Sequence, residues 1–356
     1  MNKILFLVAH RPGRSPGQRF RFEQYLDFLA QNGFTSEISY LLNEKDDICF
    51  YSKGNYFRKL GIFFKSIRIR LKDLGRSADF DLIFIYREAV MFGSAWFERK
   101  LKRKGVPIIL DFDDAIWLMD VSKGNHNLRW MKRPSKTADI LRLADMAIVG
   151  NQYLASYASA FNHNIKIIPT TINTNSFQRK AYVEKSNKIC IGWTGSGTTM
   201  KHFGLAIGFL KQISEKYPDR IYIKLISDIN YPTNEIDVRF CKWDKDTEID
   251  DLSEIDIGIM PLPDDEWAKG KCGFKGLQYM SLEIPAIMSP VGVNCEIIQD
   301  GINGYLAAND QEWLEKLSML IDSYELRINI GKAGRKTIVD NYSFDVWKER
   351  FLDCLK

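Results

Sequence analysis

Residues 270–306 read GKCGFKGLQYMSLEIPAIMSPVGVNCEIIQDGINGYL, and the rest of the chain can be placed around them. Just upstream, Ile255–Pro263 (IDIGIMPLP) has the apolar run and closing proline of a short buried strand. A polar loop, Asp264–Gly273, follows and carries Lys269 and Lys271. Phe274, Leu277, Met280 and Ser281 then recur at helical spacing, so a helix is predicted to open near Phe274. Pro285 ends it, and Ala286–Ser289 reads as the next strand. Strand, glycine-bearing loop and helix N-terminus in that order make an anion site. The first helical N–H groups have no internal acceptor, and the helix dipole favours negative charge there. Lys271 and Lys275 would add full positive charges. The same pattern also fits a basic loop on an ordinary α/β crossover, and this stretch alone does not choose between them.

At 356 residues the chain is long enough for two separate cores. Hydrophobic residues at 45% and charged residues at 27% are ordinary for a soluble globular protein. Nowhere do about eighteen apolar residues run together, so no membrane-spanning helix is expected. The N-terminus runs from Met1 to Ala9 straight into Arg11, which suits a first buried strand better than a signal peptide. The six cysteines lack CxxC or metal-ligand spacing, as in a reduced cytoplasmic protein. With four histidines and no HExxH, a zinc site is not expected. A net charge of +5 is too small to point to nucleic acid, but it suits anionic substrates or a lipid surface.

Two strand–helix series follow one another along the chain. Ile4–Ala9 feeds the loop His10–Gln18 and a helix from about Arg19 to Asn32. Arg11, Arg14, Arg19 and Arg21 crowd the C-terminal end of that strand, where open α/β sheets bind ligands. They read either as a solvated basic loop or as groups facing an anion. Further strands are Asp81–Tyr86, with Arg87 and Glu88 at its exit, Val106–Leu110, Ala144–Val149 and Lys166–Pro169. Glu98–Lys104 and Asn151–Ala160 read as helical between them. Val106–Leu110 runs into the acids Asp111, Asp113 and Asp114, with Asp120 as a fourth. The second series opens at Lys188–Gly192 and passes through the loop Trp193–Lys201 to a helix ending near Lys216. Strands Ile221–Ser227 and Val238–Cys241 and the acidic Asp244–Asp251 lead to the stretch quoted above. Glu312–Ile321, Glu325–Val339 and Phe344–Leu355 read as closing helices. Two successive arrays of this kind predict an α/β protein with two Rossmann-like domains.

Tyr56–Arg76 (YFRKLGIFFKSIRIRLKDLGR) is of another kind. Leu60, Phe63, Phe64, Ile67, Leu71 and Leu74 keep helical spacing, and Phe57, Ile62 and Ile69 widen the apolar face. Arg58, Lys59, Lys65, Arg68, Arg70, Lys72 and Arg76 are opposed by Asp73 alone. Such a helix suits an anionic membrane surface, which would make the protein peripheral on the inner face of the cell membrane. It equally suits a domain helix with a solvated cationic face.

Counted back from Pro285, residues 270–306 resemble the C-terminal signature of family 4 of the GT-B glycosyltransferases. There a Glu-x7-Glu pair ends in E-A-M-A-x-G-x-P-V. Gln278 takes the place of the second Glu and Gly270 that of the first, so the frame matches while both acids are absent. The chain is similar to a bacterial subgroup carrying G-W-T-G-S and G-K-x-G-x-K-x-x-Q-Y-M. Both motifs stand here, at Gly192–Ser196 and Gly270–Met280. Ile168–Phe177 likewise resembles the family's inter-domain linker, I-P-N-G-V-D-x-x-x-F. The resemblance implies a GT-B fold, two Rossmann-like domains facing across a cleft. Residues 1–176 would bind acceptor, 177–340 would bind the nucleotide-sugar, and 341–356 would cross back onto the first domain. It implies a hexosyltransferase-like, metal-independent enzyme moving a sugar from a nucleotide-diphosphate donor to a hydroxyl acceptor, with retention at the anomeric carbon. The acceptor would be a glycan or lipid-linked, in cell-surface polysaccharide or glycolipid synthesis. No cofactor beyond the donor is implied.

Within that frame the loop Thr194–Lys201 reads as a second candidate phosphate cradle. Gly195 and Gly197 admit close backbone approach, Ser196, Thr198 and Thr199 offer hydroxyls, and Lys201 offers a charge. The family has G-R-x-x-x-x-K here, so Gly195 and Lys201 align while Ser196 replaces the arginine, leaving Lys271 or Lys275 to compensate. Gln278 and Gly292 complete the expected donor site, with Trp243 and Glu248 placed at the nucleotide base by resemblance. Trp243 reads equally as a side chain packed under a loop. Lys201 and Lys275 are expected to act in catalysis by stabilising the leaving diphosphate. Arg14, Arg19, Arg87 and Asp111 are expected on the acceptor side. Asp113 or Asp114 would orient an acceptor hydroxyl or take its proton, and would serve equally as helix N-caps. Asp111-Phe112-Asp113 also fits the metal-binding D-x-D of single-domain transferases and the motif of haloacid-dehalogenase phosphatases. The second α/β array argues against the first, and Ala115, standing where Thr or Val is wanted, against the second. Two other functions fit the same fold: a sugar-nucleotide 2-epimerase, or a non-catalytic carbohydrate-binding relative lacking both signature glutamates.

Overall fold

The computed structural model describes residues 2–119, 131–178 and 188–356; Asp120, the fourth acid of the cluster above, lies outside them. The chain forms two compact units, Met1–Thr170 with Trp347–Lys356, and Thr171–Val346.

The described residues of the first unit form six strands, five from the apolar runs and one, β2, not expected: β1 Asn2–His10, β2 Phe34–Leu42, β3 Leu82–Tyr86, β4 Ile108–Phe112, β5 Met146–Val149 and β6 Ile165–Ile167. All pair in parallel, in the order β2-β1-β3-β4-β5-β6. Parallel strands are covered by helices on both faces, and Ile4–Val8 of β1 and Ile83–Ile85 of β3 accordingly have no exposed surface. The helices are α1 Pro16–Arg21, α2 Leu26–Gln31, α3 Glu44–Tyr51, α4 Tyr56–Gly75, α5 Trp96–Lys102, α6 Lys136–Leu143 and α7 Gln152–Ala158. The single helix expected from Arg19 to Asn32 is two, parted by a short 3₁₀ turn at Glu23–Tyr25. The break lies at Phe22, which leaves helical geometry (φ −141°, ψ −32°) and stacks its ring 4.8 Å from that of Phe6.

The second unit has β7 Ile189–Thr194, β8 Ile221–Ser227, β9 Val238–Lys242, β10 Ile257–Met260, β11 Ala286–Met288 and β12 Tyr305–Leu306. Its sheet is also parallel, in the order β12-β11-β10-β7-β8-β9. Read from the β9 edge, this is the doubly wound order in which the first strand neighbours the fourth. Its helices are α8 Met200–Gly204, α9 Ile207–Lys216, α10 Glu248–Ser253, α11 Glu266–Lys269, α12 Phe274–Ser281, α13 Asn294–Ile297, α14 Asp310–Asp322, α15 Tyr324–Thr337 and α16 Phe344–Asp353. One core of Trp193, Phe203, Phe209, Leu210, Leu317 and Leu320 runs beneath β7 and β8, with Trp313 stacked flat on Phe209 at 4.6 Å. Ile172 bonds both ways with the turn before α16, accepting from Phe344 N–H and donating to Tyr342 O, each at 2.9 Å. From Trp347 onward α16 belongs to the first unit, where Phe351 stacks on Tyr25 at 4.4 Å.

Candidate functional site

In each sheet the strand order reverses at one place, between β1 and β3 and between β7 and β10. Ligands of doubly wound proteins sit outside the carboxyl ends of the strands at such a point.

In the second unit β7 ends at Thr194, and Gly195 turns the chain directly over the indole of Trp193. A Cβ on Gly195 would lie 2.3 Å from Trp193 Cη2 and 2.7 Å from Thr199 Oγ1, so no larger residue fits without rearrangement. α12 lays Lys275 against the same buried ring, its Nζ 5.3 Å from the centroid. Tyr279 ties the helix to the strand, its hydroxyl oxygen accepting from Thr194 N–H at 2.9 Å. Trp193 is thus the floor on which the β7 loop and the first turn of α12 meet. That turn carries N–H groups with no acceptor inside the helix, and Lys275 belongs to it. Gly292, at φ 55°, lies against the backbone of Lys269 and sets the loop after β11 beside the loop after β10. Lys271 lies 5.8 Å from the ring of Trp267, and Lys201 stands exposed in the first turn of α8.

Two features of this site differ from the sequence reading. The glycine loop does not leave its backbone open to an anion: Ser196 N–H donates to Thr199 Oγ1 at 3.1 Å and Gly197 N–H to Asp228 Oδ1 at 2.6 Å. Ser196 Oγ and Thr198 Oγ1 bond each other at 2.8 Å. An anion above this loop therefore meets hydroxyls, and must displace the Asp228 carboxylate to reach the backbone. Nor is the Gln278 amide turned towards a ligand. Gln278 and Glu248 are both buried, and Glu248 Oε1 accepts from Gln278 Nε2 at 3.2 Å and from Trp243 Nε1 at 3.0 Å. These three side chains form one unit, whose carboxylate comes from α10 instead of α12.

Asp228, Tyr279 and Asn294 were not singled out by the sequence. Asn294 donates through Nδ2 to Ser289 O at 2.9 Å, while its buried Oδ1 has no hydrogen-bond partner and lies beside Gly273 at the start of α12. An aspartate and an asparagine in loops carry no pattern of their own. Tyr279 falls within a matched motif, but its bond across to β7 is not visible in sequence.

The first unit gathers its acids at the ends of β3 and β4. Asp111 has no exposed surface, and its carboxylate takes Arg21 Nε at 3.1 Å and Nη2 at 2.5 Å. Arg21 is also buried and donates its Nη1 to Ile168 O. Burial raises the Asp111 carboxyl above its ordinary range, against the pull of Arg21. Expected on the acceptor side, Asp111 is instead an internal ion pair beneath it. Asp113 and Asp114 are drawn together by Arg87, with Nε 2.9 Å from Asp113 Oδ1 and Nη2 2.5 Å from Asp114 Oδ2. Arg87 holds a left-handed backbone, φ 63°, which is costly for a residue with a long side chain and is found where the surroundings over-determine it. Tyr86 donates its hydroxyl to Asp113 Oδ1 at 2.8 Å, and burial raises the pKa of that phenol. α1 presses onto the pair at Gly17, where a Cβ would fall 1.9 Å from Tyr86 Oη and 3.0 Å from Asp113 Oδ2. Among the described residues no helix begins at either aspartate.

Arg14 turns to Asp47, Nε to Oδ2 2.5 Å, with Arg11 Nη1 on the same oxygen at 3.4 Å. Burial works to raise Asp47, yet hydrogen bonds from His10 and Arg14 hold it at about 2. Arg19 lies with its guanidinium 5.1 Å from the ring of Phe20. Among the described residues no three His, Cys, Asp or Glu side chains are gathered as metal ligands, and no helix is long and apolar enough to cross a membrane.

The family model described as Glycosyl transferases group 1 matches residues 222–323, the part of the second unit that includes β8, α10, β10, α12 and β11. No curated protein matches the sequence. Solved structures superpose over nearly the whole chain. Sucrose-phosphate synthase from Thermosynechococcus elongatus is 12% identical, with TM-score 0.71 over 100% of this chain and 98% of that one. A glycosyltransferase from Rickettsia africae is 14% identical, with TM-score 0.68 over 99% and 97%. HepE of Anabaena, solved with UDP and glucose, is 12% identical, with TM-score 0.65 over 100% and 99%. The fold is GT-B. At these identities the likeness is one of fold, and the chemistry rests on this chain's own residues.

Proposed function

We propose that the protein transfers a sugar from a nucleotide-diphosphate donor to a hydroxyl acceptor, with the donor held by the second unit. The observation that carries this reading is that Gly195 and Lys275 both lie against the Trp193 ring at the switch point of the sheet, with Lys275 inside the region matched by the Glycosyl transferases group 1 model. A diphosphate there receives the N-terminal turn of α12, the Lys275 ammonium and the hydroxyls of Ser196 and Thr198, with Lys201 and Lys271 as further cations. The nucleoside end lies towards Trp243, Glu248 and Gln278, and Glu248 supplies the carboxylate that Gln278 lacks. As the glycosidic bond breaks, negative charge grows on the leaving diphosphate. A positive end already in place stabilises that charge without reorganising.

Retention at the anomeric carbon and independence of a divalent ion belong to the same proposal. So does an acceptor that is a glycan or lipid-linked, in cell-surface polysaccharide or glycolipid synthesis. In the first unit Asp113 is the group best placed to orient an acceptor hydroxyl, because Arg87 and Tyr86 fix its Oδ1 from two sides. Both partners already occupy that oxygen, so Asp113 serves to orient the hydroxyl through its remaining oxygen. The test is release of nucleoside diphosphate from a panel of nucleotide-sugars, with and without glycan and lipid-linked acceptors, and with EDTA present. Acceptor-dependent release that survives EDTA is expected. Release or epimerisation without acceptor would favour a sugar-nucleotide 2-epimerase, and binding without turnover a carbohydrate-binding protein.

A further inference from the structure

The helix α4 is mounted with a largely polar strip inward. Its buried residues are Lys59, Ile62, Ser66, Arg70 and Asp73, a strip at spacings of three and four that faces β2 and β1. Four of the five are polar, and Arg70 is fully buried. Arg70 donates Nε to Ala89 O at 2.6 Å, Nη2 to Val8 O at 2.8 Å, and Nη1 to Asp73 Oδ2 at 2.9 Å and Ser39 Oγ at 3.0 Å. Ser39 in turn donates to Asp73 Oδ2 at 2.6 Å. These bonds lock the rotation of α4 about its axis, because any turn would leave a buried charge without its partners. Locked in this way, the helix presents an apolar row to solvent. Phe57 is 94% exposed and Phe64 62%, with Leu60 and Leu71 about half exposed. A water-soluble helix normally buries such residues, and here four of them face solvent.

At 100° per residue, Phe57, Leu60, Phe64 and Leu71 occupy one side of the outward half, and Arg58, Lys65, Arg68 and Lys72 the other. The one acid of the helix, Asp73, is turned inward and is 1% exposed. Lys65 is shared with Asp46 of α3. The outward half of a 20-residue helix is therefore apolar along one flank and cationic along the other.

We propose that this outward face docks on an anionic lipid bilayer, with Phe57 and Phe64 entering the acyl boundary and Arg58, Arg68 and Lys72 lying among the headgroups. Charge decides the occupant: a row of cations beside the apolar row matches the plane of an anionic leaflet, where each basic group adds roughly fivefold to binding. A second copy of the chain would set these cations against their own kind around the shared apolar contact.

The experiment is co-sedimentation of the full chain with phosphatidylcholine vesicles, with and without phosphatidylglycerol, at low and high salt. Binding is expected only with phosphatidylglycerol, weakening as salt rises. R68Q/K72Q should reduce the partition about 25-fold, and F57S/F64S at least about tenfold. All four residues are exposed, so the melting temperatures of both variants should match the parent, which separates lost docking from lost fold. Equal binding to both vesicle types, no binding to either, or an unchanged partition for F57S/F64S would overturn the proposal. So would a lipid-free, concentration-dependent dimer that F57S/F64S abolishes, since the face would then belong to a second copy.

Discussion

Replacing Arg21 by Met should be among the most damaging single substitutions in the first unit. Arg21 and Asp111 are both buried, and the guanidinium meets both carboxylate oxygens and Ile168 O. Removing it leaves an uncompensated carboxylate at the end of β4. Breaking a buried pair from one side costs about 3–5 kcal/mol, which for a unit of this size corresponds to a fall in Tm of roughly 6–20 °C. The pH dependence has a definite sign. The folded Asp111 carboxyl is already raised by burial, and losing Arg21 raises it further. The penalty of R21M is therefore fully present above that raised pKa, and is relieved as pH falls through it and the folded state takes up a proton. The double variant R21M/D111L removes both charges and should regain most of the loss. The assay is thermal unfolding of parent, R21M, D111L and R21M/D111L between pH 4 and 8. A change of under 1 kcal/mol for R21M, or a double variant no better than the single, would refute the reasoning.

Asp47 gives the opposite sign of pH dependence. Held at about 2 by His10 and Arg14, it contributes about 2 kcal/mol above its unfolded pKa. The stability gap between parent and D47N in urea titrations should be widest near neutral pH and close as pH falls from about 4 to about 2. Gly17→Ala should cost about 1–3 kcal/mol through the clash with Tyr86 Oη, and G17A/Y86F, which deletes that hydroxyl, should recover part of it in the same unfolding assay. If Glu248, Gln278 and Trp243 act as one unit at the nucleoside end, E248Q and Q278A should each raise the donor KM with little change in kcat. Steady-state kinetics on the two variants distinguish this from a role in the chemical step.

The fold was legible wherever strands are buried on both faces. Ile4–Ala9 and Asp81–Tyr86 carry continuous apolar runs and Ile221–Ser227 one broken by Lys224, and all three stand within a residue or two of the observed strands. β2 was not legible: it lies at the sheet edge, and the segment FTSEISYLL alternates exposed and buried positions without a continuous run. The helix after β1 was read too long because Phe22 fits the periodicity while its backbone leaves it. For α4 the helix and its two faces were legible, but not which face is turned inward. That depends on Arg70 finding acceptors on Val8, Ser39, Asp73 and Ala89, and three of those four lie outside the helix. In the candidate site, Lys275 and Gly195 follow from motif and spacing. The capture of Gly197 N–H by Asp228 and of the Gln278 amide by Glu248 depends on loops brought together by the sheet order.

The proposed function places the donor diphosphate over Trp193 at the first turn of α12. Its most direct test is calorimetric titration of the best-bound nucleotide-sugar into the parent and into K275A, after both are shown to melt alike. A charge-assisted bond to the diphosphate predicts a Kd roughly ten- to a hundredfold weaker in K275A. An unchanged Kd in the folded variant would place the diphosphate elsewhere.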